Sequence, residues 1–458
     1  MNLSMIHIAF IIITLVVTLA PGFIAARRIK SADDFSVGGR KSGIGLVAGS
    51  IIGTIVGGAA TVGTAQLGYR LGLTAWWFTL GSGIALLIMA IFYAMPLRKS
   101  GLTTVSEFLV LNYGKKAGYL ASLSSSFGIF FSVVASTLTG LHLIADIFHL
   151  NLYVAGAVLV IVTSSFVFFG GMSGGGMAGL LKIGLIFGSI AVGGVMAFAS
   201  MGNMEGLTAA FPAHPWFSLF GRGLNDGLYS MVSMIVGVIS TQTYVQAIFS
   251  AKDTKTAAVG CISAALVVIP VGLPSVMIGM FMHAHHPNIT AISALPMYLL
   301  TYMPEWLGGI GIGALLLSVI GSIGGLSLGI ATLITRDVVK NIWKDMDSKQ
   351  GLLVNRVLVV VSMFVAIVFV FFHLDSSVLD FNYLSMALRA SGIFVPLTFC
   401  IFFNNRIEAK WGVLSIACGI LTACLWPYVS PIKISSLFPA LAVNLLFLLI
   451  GLAAGKKE

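Results

Sequence analysis

The sequence predicts an all-α polytopic membrane protein with thirteen transmembrane helices. Three observations carry that prediction: scarcity of charge, apolar runs of spanning length, and the side of those runs on which the basic residues fall. Of 458 residues, 58% are hydrophobic and 9% charged, whereas an average soluble domain carries about 25% charged residues. A helix needs about 20 apolar residues to cross the hydrocarbon core. Such runs lie near 3–25, 43–66, 74–96, 117–148, 152–170, 176–201, 228–250, 256–283, 305–338, 352–373, 377–403, 409–428 and 433–454. No long polar insert divides them, so residues 1–458 read as one transmembrane domain. Cys261, Cys400, Cys418 and Cys424 all fall inside apolar runs, where a thiol behaves as a small buried hydrophobe.

The first run has no basic residue before it and "RRIK" after it, which reads as a retained span with its N-terminus outside rather than a cleaved signal peptide. The alternation that follows puts twenty of the 25 basic residues on the cytoplasmic side and leaves Arg70, Arg222 and Lys433 outside. This asymmetry is what the positive-inside rule requires, and it accounts for the net charge of +10 without nucleic acid. The expected setting is the lipid bilayer of the cell membrane, with a cytoplasmic C-terminus. No obligatory protein partner is evident.

Glycine interrupts several runs. The second reads "AGSIIGTIVGGAATVG", the seventh "SMIVGVISTQTYVQ" and the ninth "IGIGALLLSVIGSIGGLSLG". Small residues let membrane helices pack closely. The sharper reading is an unwound helix whose freed carbonyls hold a cation beside a substrate, as in transporters built from inverted repeats. Two five-helix halves starting at the second and seventh runs would have opposite topology, because five is odd.

Several local patterns resemble the sodium:solute symporter family: "DDFSVGGR" at Asp33 to Arg40, "TTVSEFLVLNYG" at Thr103 to Gly114, "QAIFSAKDTKTA" at Gln246 to Ala257 and "SIGGLSLGIATLITRDVVK" at Ser322 to Lys340. The resemblance runs from Asp33 to about Lys410. It implies a five-plus-five inverted-repeat fold: a leading helix in 1–30, repeats over 43–201 and 228–403, and two trailing helices in 409–458. It further implies a secondary active symporter, not an enzyme, that couples uptake of a small organic solute to the sodium gradient by alternating access. Sodium is then the coupling ion, with no other cofactor or metal. Placing the family motif on this chain assigns the sodium ligands to the carbonyls of Gly53 and Val56, the carbonyl of Ser318 and the hydroxyl of Ser322.

This chain departs from the family pattern near that site. The first of two adjacent hydroxyl positions is Gly321, a polar position in the first core helix is Ile55, and a "TD" pair in the fifth core helix aligns with Ala178 and Gly179. Lys182 lies three residues further along. Proton-coupled transporters of the same fold use a lysine on that helix, so the alternative is a proton-coupled symporter in which Lys182 stands in place of a cation. The competing reading is a lysine about 10 Å from the end of its span that snorkels to the interface.

Arg389 lies midway along the eleventh run, where an arginine must face the bundle interior and find a partner. It suits an anionic or zwitterionic solute, or it forms a structural ion pair with an acid such as Asp146 or Asp380. Thr61, Ser132, His142, Gln242, Tyr244 and Gln246 complete the candidate substrate contacts. The "HAHHP" cluster at His283 to Pro287 has histidines near metal-like spacing but no adjacent cysteine or carboxylate. A proton-pumping subunit would need several buried lysines in series, and a membrane-embedded enzyme an acid, base or metal constellation. Neither pattern is found.

Overall fold

A computed structural model gives the fold for residues 3–26, 40–403, 406–431 and 434–455, with backbone alone at 19–26 and 166–183. The described residues are helical almost throughout, and their only bridge of extended backbone is a parallel pairing of Ser42 with Ala251. Nine helices among them are long and apolar enough to cross a membrane, or up to ten if one bent pair is a single span. Shorter apolar helices at Met5–Thr18, Ile44–Ile55, Leu152–Ser165 and Ala291–Thr301 add to these. The expected count of thirteen is therefore not reproduced among the described residues. Part of the reason is physical, because the second run splits into pieces each too short to span.

Helix α1 (Met5–Ala26) packs against a long helix late in the chain. Helix α2 (Ile44–Ile55) stops at Val56, where φ −80° and ψ 69° leave the helical region. A π-helical turn at Ala59–Gly63 then leads into α3 (Thr64–Leu71). Carbonyls freed inside a membrane must find partners. Thr61 donates to the Gly57 carbonyl at 2.8 Å and Thr64 to that of Ala59 at 3.1 Å.

Helices α4 (Trp77–Ile88) and α5 (Ala94–Ser100) flank a second π-helical turn. Helix α6 (Val105–Phe148) opens on a capping box in which Thr104 accepts from the Glu107 amide and Glu107 caps the Thr104 amide. Gly114, at φ 77°, bends α6 after its first turns. Helix α7 (Leu152–Ser200) follows, capped by Asn151, and α8 (Asn203–Ala210) turns away from its end by 73°.

Helix α9 (Leu224–Ile239) breaks at Ser240 and Thr241 before α10 (Gln242–Ser250) resumes. Both hydroxyls at the break bond back one turn, Ser240 to Val236 at 2.7 Å and Thr241 to Gly237 at 2.6 Å. This supplies the backbone with local partners as the helix ends. Beyond come α11 (Thr254–His285), α12 (Ala294–Thr301), α13 (Glu305–Leu333), α14 (Ser348–Phe371), α15 (Val378–Phe402), α16 (Ala409–Val429) and α17 (Leu437–Ala454).

Helix α13 is the mast of the bundle. Its apolar window is 89% buried, against 28% for α16 and α17, which therefore sit at the rim. Helices α1, α6, α7 and α14 pack around it. At the end of the bundle that carries Lys252 and Arg336, the chain before α2 is tied to the end of α10. Ser42 donates to the Ser250 carbonyl and accepts from the Lys252 amide, both at 3.0 Å. We refer to this as the basic end.

Candidate functional site

The first cluster forms where α13 meets the break after α2. Ser318 donates to the Val56 carbonyl, and Ser322 donates to the Thr54 carbonyl at 2.9 Å. Close approach depends on Gly57, since a Cβ there would lie 1.9 Å from the Ser322 hydroxyl oxygen. Gly53 and Val56 are buried on adjoining turns of the same segment. Four of the residues assigned from the sequence, Gly53, Val56, Ser318 and Ser322, thus belong to one interface between a broken helix and the mast. It presents backbone carbonyls and hydroxyls, the oxygen types a sodium ion takes.

The second cluster surrounds Arg389, which is completely buried on α15. Its Nε donates to the Ser385 carbonyl at 3.1 Å, Nη1 to Thr241 Oγ1 at 2.5 Å, and Nη2 to Ser132 Oγ at 2.7 Å and Ser385 Oγ at 2.5 Å. Ser132 passes its own proton to Asn382 at 3.0 Å. The arginine stem packs so tightly on α6 that a Cβ at Gly128 would stand 2.5 Å from its Cγ. Among the described residues no carboxylate pairs with it: Asp380 pairs with Arg222 at 2.7 Å and Asp146 accepts from Ser293 at 2.8 Å. A fixed positive charge is therefore held by neutral oxygens at the break between α9 and α10. Thr241, Ser385 and Asn382 escaped the sequence reading. Thr241 is adjacent to the candidate Gln242, and the other two lie on the same helix as Arg389.

A third cluster lies toward the basic end. Gln242 accepts from the Val105 amide at 2.9 Å and donates to the Thr103 carbonyl at 3.0 Å, so its amide binds the start of α6. Gln246 is buried one turn on and receives a longer bond from Gln242, 3.4 Å. Asp337, in a π-helical turn beyond α13, accepts from Thr104 at 3.0 Å and from Ser122, whose hydroxyl also meets Ser106 at 2.7 Å. Asp337 entered the sequence reading only as part of a motif. The partners of a buried carboxylate come from segments more than 200 residues away, which no local pattern reveals.

Toward the other end, His142 reaches the Leu374 carbonyl at 3.3 Å and lines a cavity of about 690 Å³ with Gln66, Tyr69, Arg70 and Asp146. The expected histidine cluster closes this end of α11. His286 meets the Tyr302 hydroxyl at 2.6 Å, His285 stacks on Phe281, and His283 packs edge-on against Tyr69. Ser122, Ser132 and His142 follow one another at ten-residue steps along α6, or about 15 Å each. The Asp337 cluster, the Arg389 cluster and the cavity at His142 thus lie along about 30 Å of α6, the thickness of a hydrocarbon core. Lys182, Ala178 and Gly179 lie in the stretch of α7 described by its backbone alone, outside the residues whose side chains are described.

A model of the sodium:solute symporter family matches residues 35–417. The high-affinity choline transporter 1 of Drosophila melanogaster is 25% identical over 375 residues, covering 77% of this chain and 60% of the fly protein's length. The sodium/sialic acid symporter NanT of Aliivibrio fischeri is 27% identical over 443 residues, covering 89% of this chain and 85% of its own. A solved structure of a Na+-coupled sialic acid symporter in its substrate-bound outward-open state superposes with a TM-score of 0.84, at 19% identity and over the full length of both chains. That likeness is one of fold.

Proposed function

Since the chain belongs to the sodium:solute symporter family, whose members are transporters and not enzymes, we propose that it carries a small organic anion or zwitterion across the membrane together with sodium, by alternating access. The observation that carries the reading is the convergence of Ser318 and Ser322 on the carbonyls freed where α2 breaks. The sodium site we propose uses the carbonyls of Gly53, Val56 and Ser318 and the hydroxyl of Ser322. Rotation of the Ser322 hydroxyl away from Thr54 would turn a lone pair toward the ion. Thr61, one turn beyond the break, donates to Gly57 and so steadies this backbone.

The solute class follows from Arg389. A buried guanidinium without a counter-ion lacks its strongest partner, and a carboxylate can accept two parallel bonds from it. An anionic group entering at Ser132 and Thr241 would exchange hydroxyl partners for a charged one. The same fixed charge opposes a cation, so of the solutes for which the relatives are named, sialic acid is closer in charge type than choline. The breaks at Val56–Gly58 and Ser240–Thr241 support a paired-repeat reading with halves at 43–201 and 228–403. The basic end is read as cytoplasmic, with the N-terminus outside.

Uptake into proteoliposomes tests this reading. A sodium gradient should drive accumulation of a carboxylate-bearing solute, and a proton gradient alone should not. Accumulation driven equally well without sodium would overturn it.

A further inference from the structure

The basic end of the bundle holds a cavity that the transport reading does not use. About 500 Å³ in volume, it lies between the first half of α6 and the turns that follow α13. Four cations line it, Lys115 from α6 and Arg336, Lys340 and Lys344 from the exit of α13. The last three recur every four residues. Two acids share the wall, but both carboxylates are engaged: Glu107 accepts from the Thr103 and Thr104 amides, and Asp337 from Thr104 and Ser122. The cavity thus carries two positive charges in excess, four cations less two acids.

Apart from Asn341, its remaining wall is largely apolar and continues outward. Beyond Lys115, the residues at four-residue intervals on α6 are Tyr119, Leu123 and Phe127, which are 36%, 59% and 54% exposed. Their spacing places them on one stripe of the helix. From Lys115 to Phe127 the stripe rises about 18 Å, a little more than the roughly 15 Å of one leaflet's hydrocarbon. Beside the lysines, Ile342 and Trp343 are 81% and 46% exposed. A tryptophan near a cationic cluster suits the interfacial level of a membrane.

We propose that this cavity binds one anionic phospholipid. Lys115, Arg336, Lys340 and Lys344 hold the headgroup phosphate, and an acyl chain lies along Tyr119, Leu123 and Phe127. Basic pockets between membrane helices favour anionic headgroups, each cation contributing to the attraction. The stripe favours a lipid as the source of the phosphate, because it continues the cavity into the hydrocarbon and so offers one molecule both a headgroup site and a track for its acyl chain. The lipid would bridge the start of α6 to the exit of α13, the two segments that Thr104 and Asp337 already join.

Native mass spectrometry of the full-length protein from micelles containing equal phosphatidylglycerol and phosphatidylcholine tests the site. The wild type should retain phosphatidylglycerol preferentially. Combining Lys340→Ala with Lys344→Ala should reduce that preference about tenfold or more. The matched pair Lys252→Ala and Lys255→Ala, which removes two cations elsewhere at the same end, should leave it unchanged. Equal losses in the two double variants would overturn the proposal by showing a bulk charge effect. Displacement of the lipid by millimolar inorganic phosphate would also overturn it, by showing a free-anion site.

Discussion

Arg389 combines complete burial with four bonds to neutral oxygens. Arg389→Ala should lower solute uptake by about 10- to 100-fold, the worth of a charge-assisted bond of roughly 1.5–3 kcal/mol. Arg389→Lys should not restore it, because an ammonium cannot reproduce the planar fork that spans Ser132 and Thr241. Initial uptake rates in proteoliposomes check both. Gly128→Ala acts on the same group through packing, and should destabilise the protein by about 1–3 kcal/mol, read as a fall in melting temperature in detergent. The arginine was legible in the sequence as a charge in an apolar run, and its need for a partner followed from the cost of burial. Its partners were not legible. Asp146 and Asp380 have the right charge, yet distance along the chain says nothing of which helices meet, and three plain hydroxyl residues hold the guanidinium instead.

Among the elements, the two broken helices were the most legible, since glycine and hydroxyl residues interrupt otherwise apolar runs. The use made of each break was less so. Gln242 lies at the second break with the polarity of a solute contact, but its amide is fully engaged by Thr103 and Val105. Gln242→Leu should therefore lower stability by about 1–3 kcal/mol by stranding those buried backbone groups. Thermal denaturation followed without solute would register the change, and an unaltered melting temperature would argue against it. At the first break, Ser322→Ala should raise the half-saturating sodium concentration about tenfold while maximal uptake at high sodium falls less. Sodium titration of uptake separates the two parameters. Gly57→Ala should be the more severe change, because its Cβ would occupy the space of the Ser322 hydroxyl.

For the whole molecule, the proposed orientation places the basic end in the cytoplasm. In a background free of the four native cysteines, Asn288→Cys should react with an impermeant maleimide from outside intact cells. Lys252→Cys should react only after permeabilisation. The reverse pattern would invert every loop. The multi-pass character was legible from charge scarcity alone, while the number of separate spans was not, because a span broken at its centre has the composition of a whole one. The pairing of Ser42 with Ala251 has a mechanical meaning. It fastens α2 to α10, the half-helices on the basic side of the two breaks, through a pair of backbone hydrogen bonds across 209 residues of chain. The two pieces are thereby linked: if Val56–Gly58 and Ser240–Thr241 served as pivots, a swing of one away from the mast would draw the other with it or break the pairing. In the proposed transport cycle, a stroke that freed the proposed sodium ligands at one pivot would also pull Thr241 from Arg389 at the second, and a single shared lever would time the release of ion and solute.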